Sequence, residues 1–164
     1  SNRSAFENHL TSLIKGTFKQ SDFKLALFFM DLNDFKHVND TLGHDIGDLL
    51  LQAVGGRLKS IEKQFEMIAR QGGDEFTLLL KNVLTQEQLK QRAELVLSVL
   101  KAPYYINGQT ILCPPSIGIS SSPTDATTAM EIMKQADIAM YQAKKNRSGA
   151  YVLYSDLRLT SKQK

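Results

Sequence analysis

The chain has 164 residues, 42% hydrophobic and 23% charged, enough for one globular domain with a sizeable core. Lys and Arg number 20 against 17 Asp and Glu, and a formal charge of +3 is too mild to argue for a nucleic-acid or acidic-membrane partner. The single cysteine, Cys113, excludes an internal disulfide and a cysteine metal cage and fits a reducing compartment. The longest apolar run, Leu25 to Met30, is far too short to span a bilayer. With no signal peptide evident, the expected location is cytoplasmic, either as a cytosolic protein or as the cytosolic part of something larger.

In chain order, "LALFFMDLN" reads as a buried strand: six consecutive apolar residues, too few for a helix, closed by polar ones. A short helix follows from Phe35, with Asn33 or Asp34 as candidate cap, and His44 or Asp45 would cap the next one. "DIGDLLLQAVGGRLKSI" spaces Ile46, Leu50, Val54, Leu58 and Ile61 as an amphipathic helix. Gly55 and Gly56 inside it weaken it by roughly 1 kcal/mol each relative to alanine. "FEMIAR" and "EFTLLLK" read as strands joined through "QGGD" in a tight hairpin. "TQEQLKQRAELVLSVLK" is a helix capped by Thr85. "YYINGQTILC" is a second hairpin turning at Asn107-Gly108. "SIGIS" reads as the end of that strand, and Pro114-Pro115, which cannot donate ladder bonds, places it at an edge or bulge. "TTAMEIMKQADIAMYQAKK" is the last helix, its Met130, Met133 and Met140 read as core packing, and "AYVLY" is a final strand. Cys113 reads as a buried small apolar residue.

This order predicts an α+β fold, a two-layer sandwich with a mixed, largely antiparallel central sheet flanked by helices. Residues 1–154 form the expected domain, and the polar tail 155–164 reads as the start of a linker.

Acids stand where strands end. Asp31 follows "LALFFM", and Asp74 and Glu75 follow Gly72-Gly73 in "ARQGGDEFTLLL". If these strands are neighbours, three carboxylates converge on one edge and repel unless a cation neutralises them. Mg²⁺ suits such an edge, since it takes one or two carboxylates plus substrate phosphates. Glycine backbone can approach a phosphate closely. A plain solvated turn accounts for "GGDE" as well. Between Asp31 and Asp48, "DLNDFKHVNDTLGHDIGD" is rich in polar side chains, and Lys36, Asn39, His44 and Asp48 could face one cleft. An amide and a carboxylate together suit the donor and acceptor pattern of guanine, while helix capping explains some of the same residues.

The "GGDEF" at Gly72 to Phe76 matches the signature of the GGDEF domain, the diguanylate cyclase family. "DLNDFKHVNDTLGHDIGD" resembles the family's "D-x-D-x-F-K-x-x-N-D-x-x-G-H-x-x-G-D" segment, and "SIGIS" and "ADIAMYQAK" resemble its two later motifs. The resemblance runs from Asn2-Arg3 to about Tyr154, with four motifs in order. It implies a sheet similar to the nucleotidyl cyclase and polymerase palm. It also implies Mg²⁺- or Mn²⁺-dependent condensation of two GTP into cyclic di-GMP by a homodimer. By position, Asp31, the Leu32 carbonyl, Asp74 and Glu75 would hold metal, with Asp74 beside the attacking 3′-hydroxyl. Gly72 and Gly73 would lie against the nucleotide. Asn39 and Asp48 would read guanine with His44 nearby, and Lys36 and Lys144 would hold phosphates.

The chain departs from the pattern in three places. Asn33 stands where the family often has a second Asp. Lys63 and Glu66 replace the Arg-x-x-Asp pair of the inhibitory product site, and a lysine lacks arginine's bidentate fork, so product inhibition there is expected to be lost or weak. In "AKKNRSG", Ser148 takes the place of the phosphate-contacting Arg, with Arg147 one residue earlier as its candidate replacement. Such variants resemble GGDEF domains that precede an EAL phosphodiesterase domain. The rival expectation is therefore a silent GTP-binding module that controls an attached EAL or sensory partner.

Overall fold

A computed structural model describes residues 2–19, 24–83, 85–146 and 150–157. β1 (Leu25–Leu32) is buried along its whole length, so every other layer is arranged around it. It pairs antiparallel on one side with β3 (Glu75–Lys81) and on the other with β6 (Pro115–Ser122). β2 (Met67–Gly72) extends the sheet antiparallel beyond β3, and β7 (Tyr151–Leu153) runs parallel beyond β6. The five-stranded order is β2-β3-β1-β6-β7. The expected mixed, largely antiparallel sheet flanked by helices is what forms.

Helices cover both faces, so the sandwich has three layers rather than the expected two. The reason lies in β1, whose side chains alternate between two apolar faces and need cover on each. Leu25, Leu27 and Phe29 pack with α1 (Asn2–Lys19) and α5 (Ala129–Asn146). Ala26, Phe28, Met30 and Leu32 face the opposite core, with α2 (Phe35–Leu42), α3 (His44–Ser60) and α4 (Gln86–Lys101). α1 is an element that the periodicity did not reveal. Its buried residues Phe6, Leu10 and Ile14 supply about one per turn, a stripe too thin to signal a helix before packing is known.

β6 corrects a second expectation. It does not finish the hairpin strand, because β4 (Tyr104–Ile106) and β5 (Gln109–Ile111) form a separate two-stranded sheet. Instead β6 lies inside the main sheet, with Pro115 as its first residue, opposite Leu32, where a missing N–H is tolerated. The Asn107-Gly108 turn has both residues at positive φ, 48° and 78°, as a two-residue hairpin requires. Thr85 forms the full capping box with Gln88 at the start of α4. The other end of α4 is held by Arg57 of α3, which donates to the carbonyls of Val99, Ala102 and Pro103 and lies 3.6 Å over the Tyr104 ring. Of the methionine stripe, Met140 is buried, but Met130 is 82% exposed and is not core. Cys113 is fully buried and donates to the Asn33 carbonyl, and burial pushes its thiol up to about 12. Residues 154–157 form a helical turn at the point where the linker was expected, and 158–164 lie outside the described residues.

The face of β6 that meets α5 carries Ser116, Gly118, Ser120 and Ser122, while Ile117 and Ile119 point the other way. A Cβ on Gly118 would collide with the backbone of α5 and come within 2.7 Å of the Ala139 carbonyl carbon. Gly118→Ala should therefore push the helix outward and lower unfolding free energy by about 1–3 kcal/mol in a denaturant titration. Gly55→Ala is the opposite case, since nothing lies within 4 Å of the added carbon. It should raise stability by about 1 kcal/mol through helix propensity alone.

Candidate active site

The acids predicted from the sequence meet at the sheet edge. Asp31, near the end of β1, sits directly opposite Glu75 at the start of β3 and opposite Ser116 on its other side. Residues opposite one another in an antiparallel pair share a face, so both carboxylates belong to the face covered by α1 and α5. The Leu32 N–H donates to the Asp74 carbonyl at 3.2 Å, which ties the signature hairpin to the end of β1. That hairpin turns tightly: Gly73 is left-handed at φ 49°, and its carbonyl accepts from Arg70 Nε at 2.9 Å. A bulge between Arg70 and Gly72 re-aims the strand just before the acids.

Asp31 is only 8% exposed. Its Oδ2 accepts from Lys144 Nζ at 3.1 Å, whereas Oδ1 is buried with no hydrogen-bond partner among the described residues. Burial pushes the Asp31 carboxyl above the usual range. Lys144 opposes that shift and the Asp74 charge adds to it. Glu75 is raised as well, first by burial and then by Asp137, Asp74 and Asp31. Among the described residues no group of three or more His, Cys, Asp or Glu is arranged to hold a metal ion by itself. A cation here would need oxygen ligands beyond these side chains.

Asp137 is a member of this electrostatic group that the sequence reading missed. It stands seven residues before Lys144 on α5, two helical turns and hence the same face, which is the signal that could have found it. Asn33 is also more than a neutral stand-in for an acid. It is buried, its Oδ1 accepts from Ser116 Oγ at 3.0 Å, and its N–H donates to the Pro114 carbonyl, so it bolts β1 to the start of β6. It caps no helix. Asp34 occupies the cap position of α2 in a left-handed conformation, without a side-chain cap bond.

The second group lies on α2 and α3. Lys36 and Asn39 are on α2 and Asp48 is on α3, with Gly43 at φ 95° as the joint between the helices. Gly43 is the cap of α3, so His44 and Asp45 do not cap it, and His44 is exposed at its first position. Lys36 and Asp48 are exposed as well, and Asn39 is partly buried. Arg147 and Ser148 lie outside the described residues. At the positions that align with the family's Arg-x-x-Asp pair, Glu66 is bound by His9 Nε2 at 3.1 Å and Lys81 Nζ at 3.0 Å, while Lys63 is exposed in a short 3-10 turn (Glu62–Gln64). A cavity of about 690 Å³ between α1 and the start of α5 contains none of the predicted site residues. No helix among the described residues is long and apolar enough to cross a membrane.

Comparison with known proteins agrees with this geometry. A family model described as diguanylate cyclase, GGDEF domain, matches residues 1–150. The chain is 39% identical over 155 residues to the signaling protein YkoW of Bacillus subtilis, covering 94% of this chain and 19% of that protein. It is 37% identical over 153 residues to the bifunctional diguanylate cyclase/cyclic di-GMP phosphodiesterase MucR of Pseudomonas aeruginosa, covering 93% of this chain and 22% of that one. The chain thus spans about a fifth of the length of both curated relatives. The solved GGDEF domain of TpbB from Pseudomonas aeruginosa superposes with a TM-score of 0.85 at 31% identity, covering 97% of this chain and 94% of that one.

The raised carboxyls carry a testable cost. An acid whose folded value lies above its unfolded one is easier to fold when protonated. Its charge therefore weakens the fold at neutral pH, and the penalty fades as pH falls toward the ordinary carboxylate range. Asp31→Asn should melt above the parent at pH 7, by about 2–4 °C per kcal/mol relieved. The gap should close in melting curves recorded near pH 4.

Proposed function

Because the chain belongs to the GGDEF domain family, we propose that it is a diguanylate cyclase domain that condenses two GTP molecules into cyclic di-GMP with release of pyrophosphate. The observation that carries this reading is the cross-strand pair Asp31–Glu75 beside the tethered Asp74, with Lys144 reaching the same edge. Cyclases of this family generally use a divalent metal. The donor set fits Mg²⁺ or Mn²⁺: hard oxygen atoms, like charges in need of neutralisation, and a buried Asp31 oxygen with no other described partner. Asp31, the Leu32 carbonyl, Asp74 and Glu75 would hold the ion, and substrate phosphates would complete its coordination. When bound, it supplies positive charge against the triphosphate.

The remaining roles fall to the chain's own groups. Gly72 and Gly73 leave the hairpin without side chains where the nucleotide approaches. Lys36 and Lys144, with Arg147, hold the phosphates, so Lys144 exchanges its hold on Asp31 for substrate. Asn39 and Asp48 bind the guanine edge near His44. The 3′-oxygen of one nucleotide attacks the α-phosphorus of the other and its proton passes toward Asp74. The new P–O bond forms as the bond to the leaving pyrophosphate breaks. Each domain holds one GTP, so turnover requires a homodimer. Cytoplasmic location, attached sensory or EAL domains and the absence of a nucleic-acid partner complete the proposal. Product inhibition at Lys63 and Glu66 is weak, because both Glu66 oxygens are already engaged.

One observation favours a second reading, a catalytically silent GTP-binding module that regulates an attached EAL-type phosphodiesterase. Ser148 stands where the family's phosphate-contacting Arg belongs. Incubating the longer native protein with GTP and Mg²⁺, followed by chromatography, separates the two. Cyclic di-GMP should accumulate, and Asp74→Ala and Glu75→Gln should each cut its rate by about 100-fold or more. GTP binding without product would leave the regulatory module standing instead. Adding cyclic di-GMP to the reaction should leave the initial rate essentially unchanged.

A further inference from the structure

α3 contains glycines of two kinds. Gly55 and Gly56 have open space where a Cβ would go, but Gly47 does not. A Cβ built there would overlap Asn39 Oδ1 and come within 2.8 Å of Asn39 Cγ. Gly47 is buried, and its N–H donates to the Gly43 carbonyl at 3.1 Å, so it continues the helix in the ordinary way. No positive φ demands glycine at this position, and alanine is the better helix former. What the missing side chain provides is room. The atoms nearest to the added carbon all belong to the Asn39 amide, so the space serves that one side chain.

We infer that Gly47 is a positioning residue for base recognition: its bare Cα forms the slot that seats the Asn39 amide next to Asp48. The joint at Gly43 folds α2 back on α3, and the Asn39 carbonyl accepts the Gly43 N–H at 3.0 Å, which fixes the backbone that carries the amide. The slot then fixes the side chain. Asp48 follows Gly47 directly in the chain, so one turn of α3 supplies both a carboxylate and the seat for the Asn39 amide. The inference rests on the reading that Asn39 and Asp48 bind guanine. It adds that selectivity for guanine over other purines depends on a residue that never touches the base. Gly118 offers a contrast, because there the obstruction is helix backbone and a methyl group must move the whole element. At Gly47 the obstruction is the end of a flexible side chain, so a methyl group should displace the amide and leave the fold in place.

The test compares Gly47→Ala, Asn39→Ala and the double variant by calorimetric binding of GTP and of ITP, which lacks the 2-amino group, in the presence of Mg²⁺. Both single variants should narrow the parent's preference for GTP over ITP by about tenfold, the loss of one hydrogen-bonded contact. The double variant should narrow it no further, because both changes remove the same seated amide. In thermal melting, adding Gly47→Ala to the Asn39→Ala background should leave the midpoint equal or higher, since the slot is then vacant and alanine favours the helix. A double variant that melts well below Asn39→Ala would overturn the inference, because the methyl group would be striking something other than Asn39. So would a Gly47→Ala domain that keeps the parent's GTP-to-ITP ratio while Asn39→Ala loses it. If Asn39→Ala itself keeps the ratio, the assignment of Asn39 to the guanine 2-amino group fails instead, and the melting cycle still decides whether Gly47 seats Asn39.

Discussion

The close approach of α5 to β6 is the contact on which the rest of the site depends. Protein interiors pack at crystal-like density, so a helix lies only as near a strand as the side chains between them permit. On β6 those are three serines and Gly118, and on α5 they include Ala136, Ala139 and Ala143, all fully buried. Ser120 reinforces the contact by donating from its hydroxyl to the Ile132 carbonyl. With the helix seated this low, its last turns pass beside the end of β1 and Lys144 reaches Asp31. One methyl group more at position 118 would move the lysine and the carboxylate apart together.

Much of this could be read from the chain before folding. The signals that succeeded are local: the apolar run of β1, the Thr85 cap, the Asn107-Gly108 turn, and glycines followed by acids at the hairpin. Each depends on residues within a few positions of one another. The failures depend on pairings across the molecule. Nothing near Ser116 to Ser120 indicates that this strand lies between β1 and β7 rather than beside β5. Residues Phe6, Leu10 and Ile14 acquire meaning only once β1 and α5 are there to cover them. Asp137 is within reach of periodicity, two turns from Lys144 on α5, but only the packing of α5 against β1 shows that it faces the acids of the hairpin. The positions of Asp31, Asp74 and Glu75 were legible as strand ends, while their convergence required knowing that β1 and β3 are neighbours.

The carboxylate edge also works against the fold that holds it. Asp31 and Glu75 both titrate above the ordinary range because burial and neighbouring acids disfavour their charge. Lys144 relieves the strain on Asp31 only in part, since one oxygen stays buried without a described partner. A site arranged for packing alone would have no reason to face an acid with an acid across a strand pair. Perturbed carboxylates gathered at a strand end fit the cation- and phosphate-handling site proposed above.

Cys113 has a practical consequence. It is the only thiol in the chain, it is fully enclosed, and its ionisation is pushed up to about 12. Thiolate is the species that reacts with alkylating probes, so the native cysteine is chemically silent while the domain stays folded. A cysteine placed at an exposed position such as Tyr105 would be the single reactive handle, with no need to remove the native one first. The domain is in effect already prepared for site-specific fluorescent or spin labelling, and the appearance of a second labelled site would itself report unfolding.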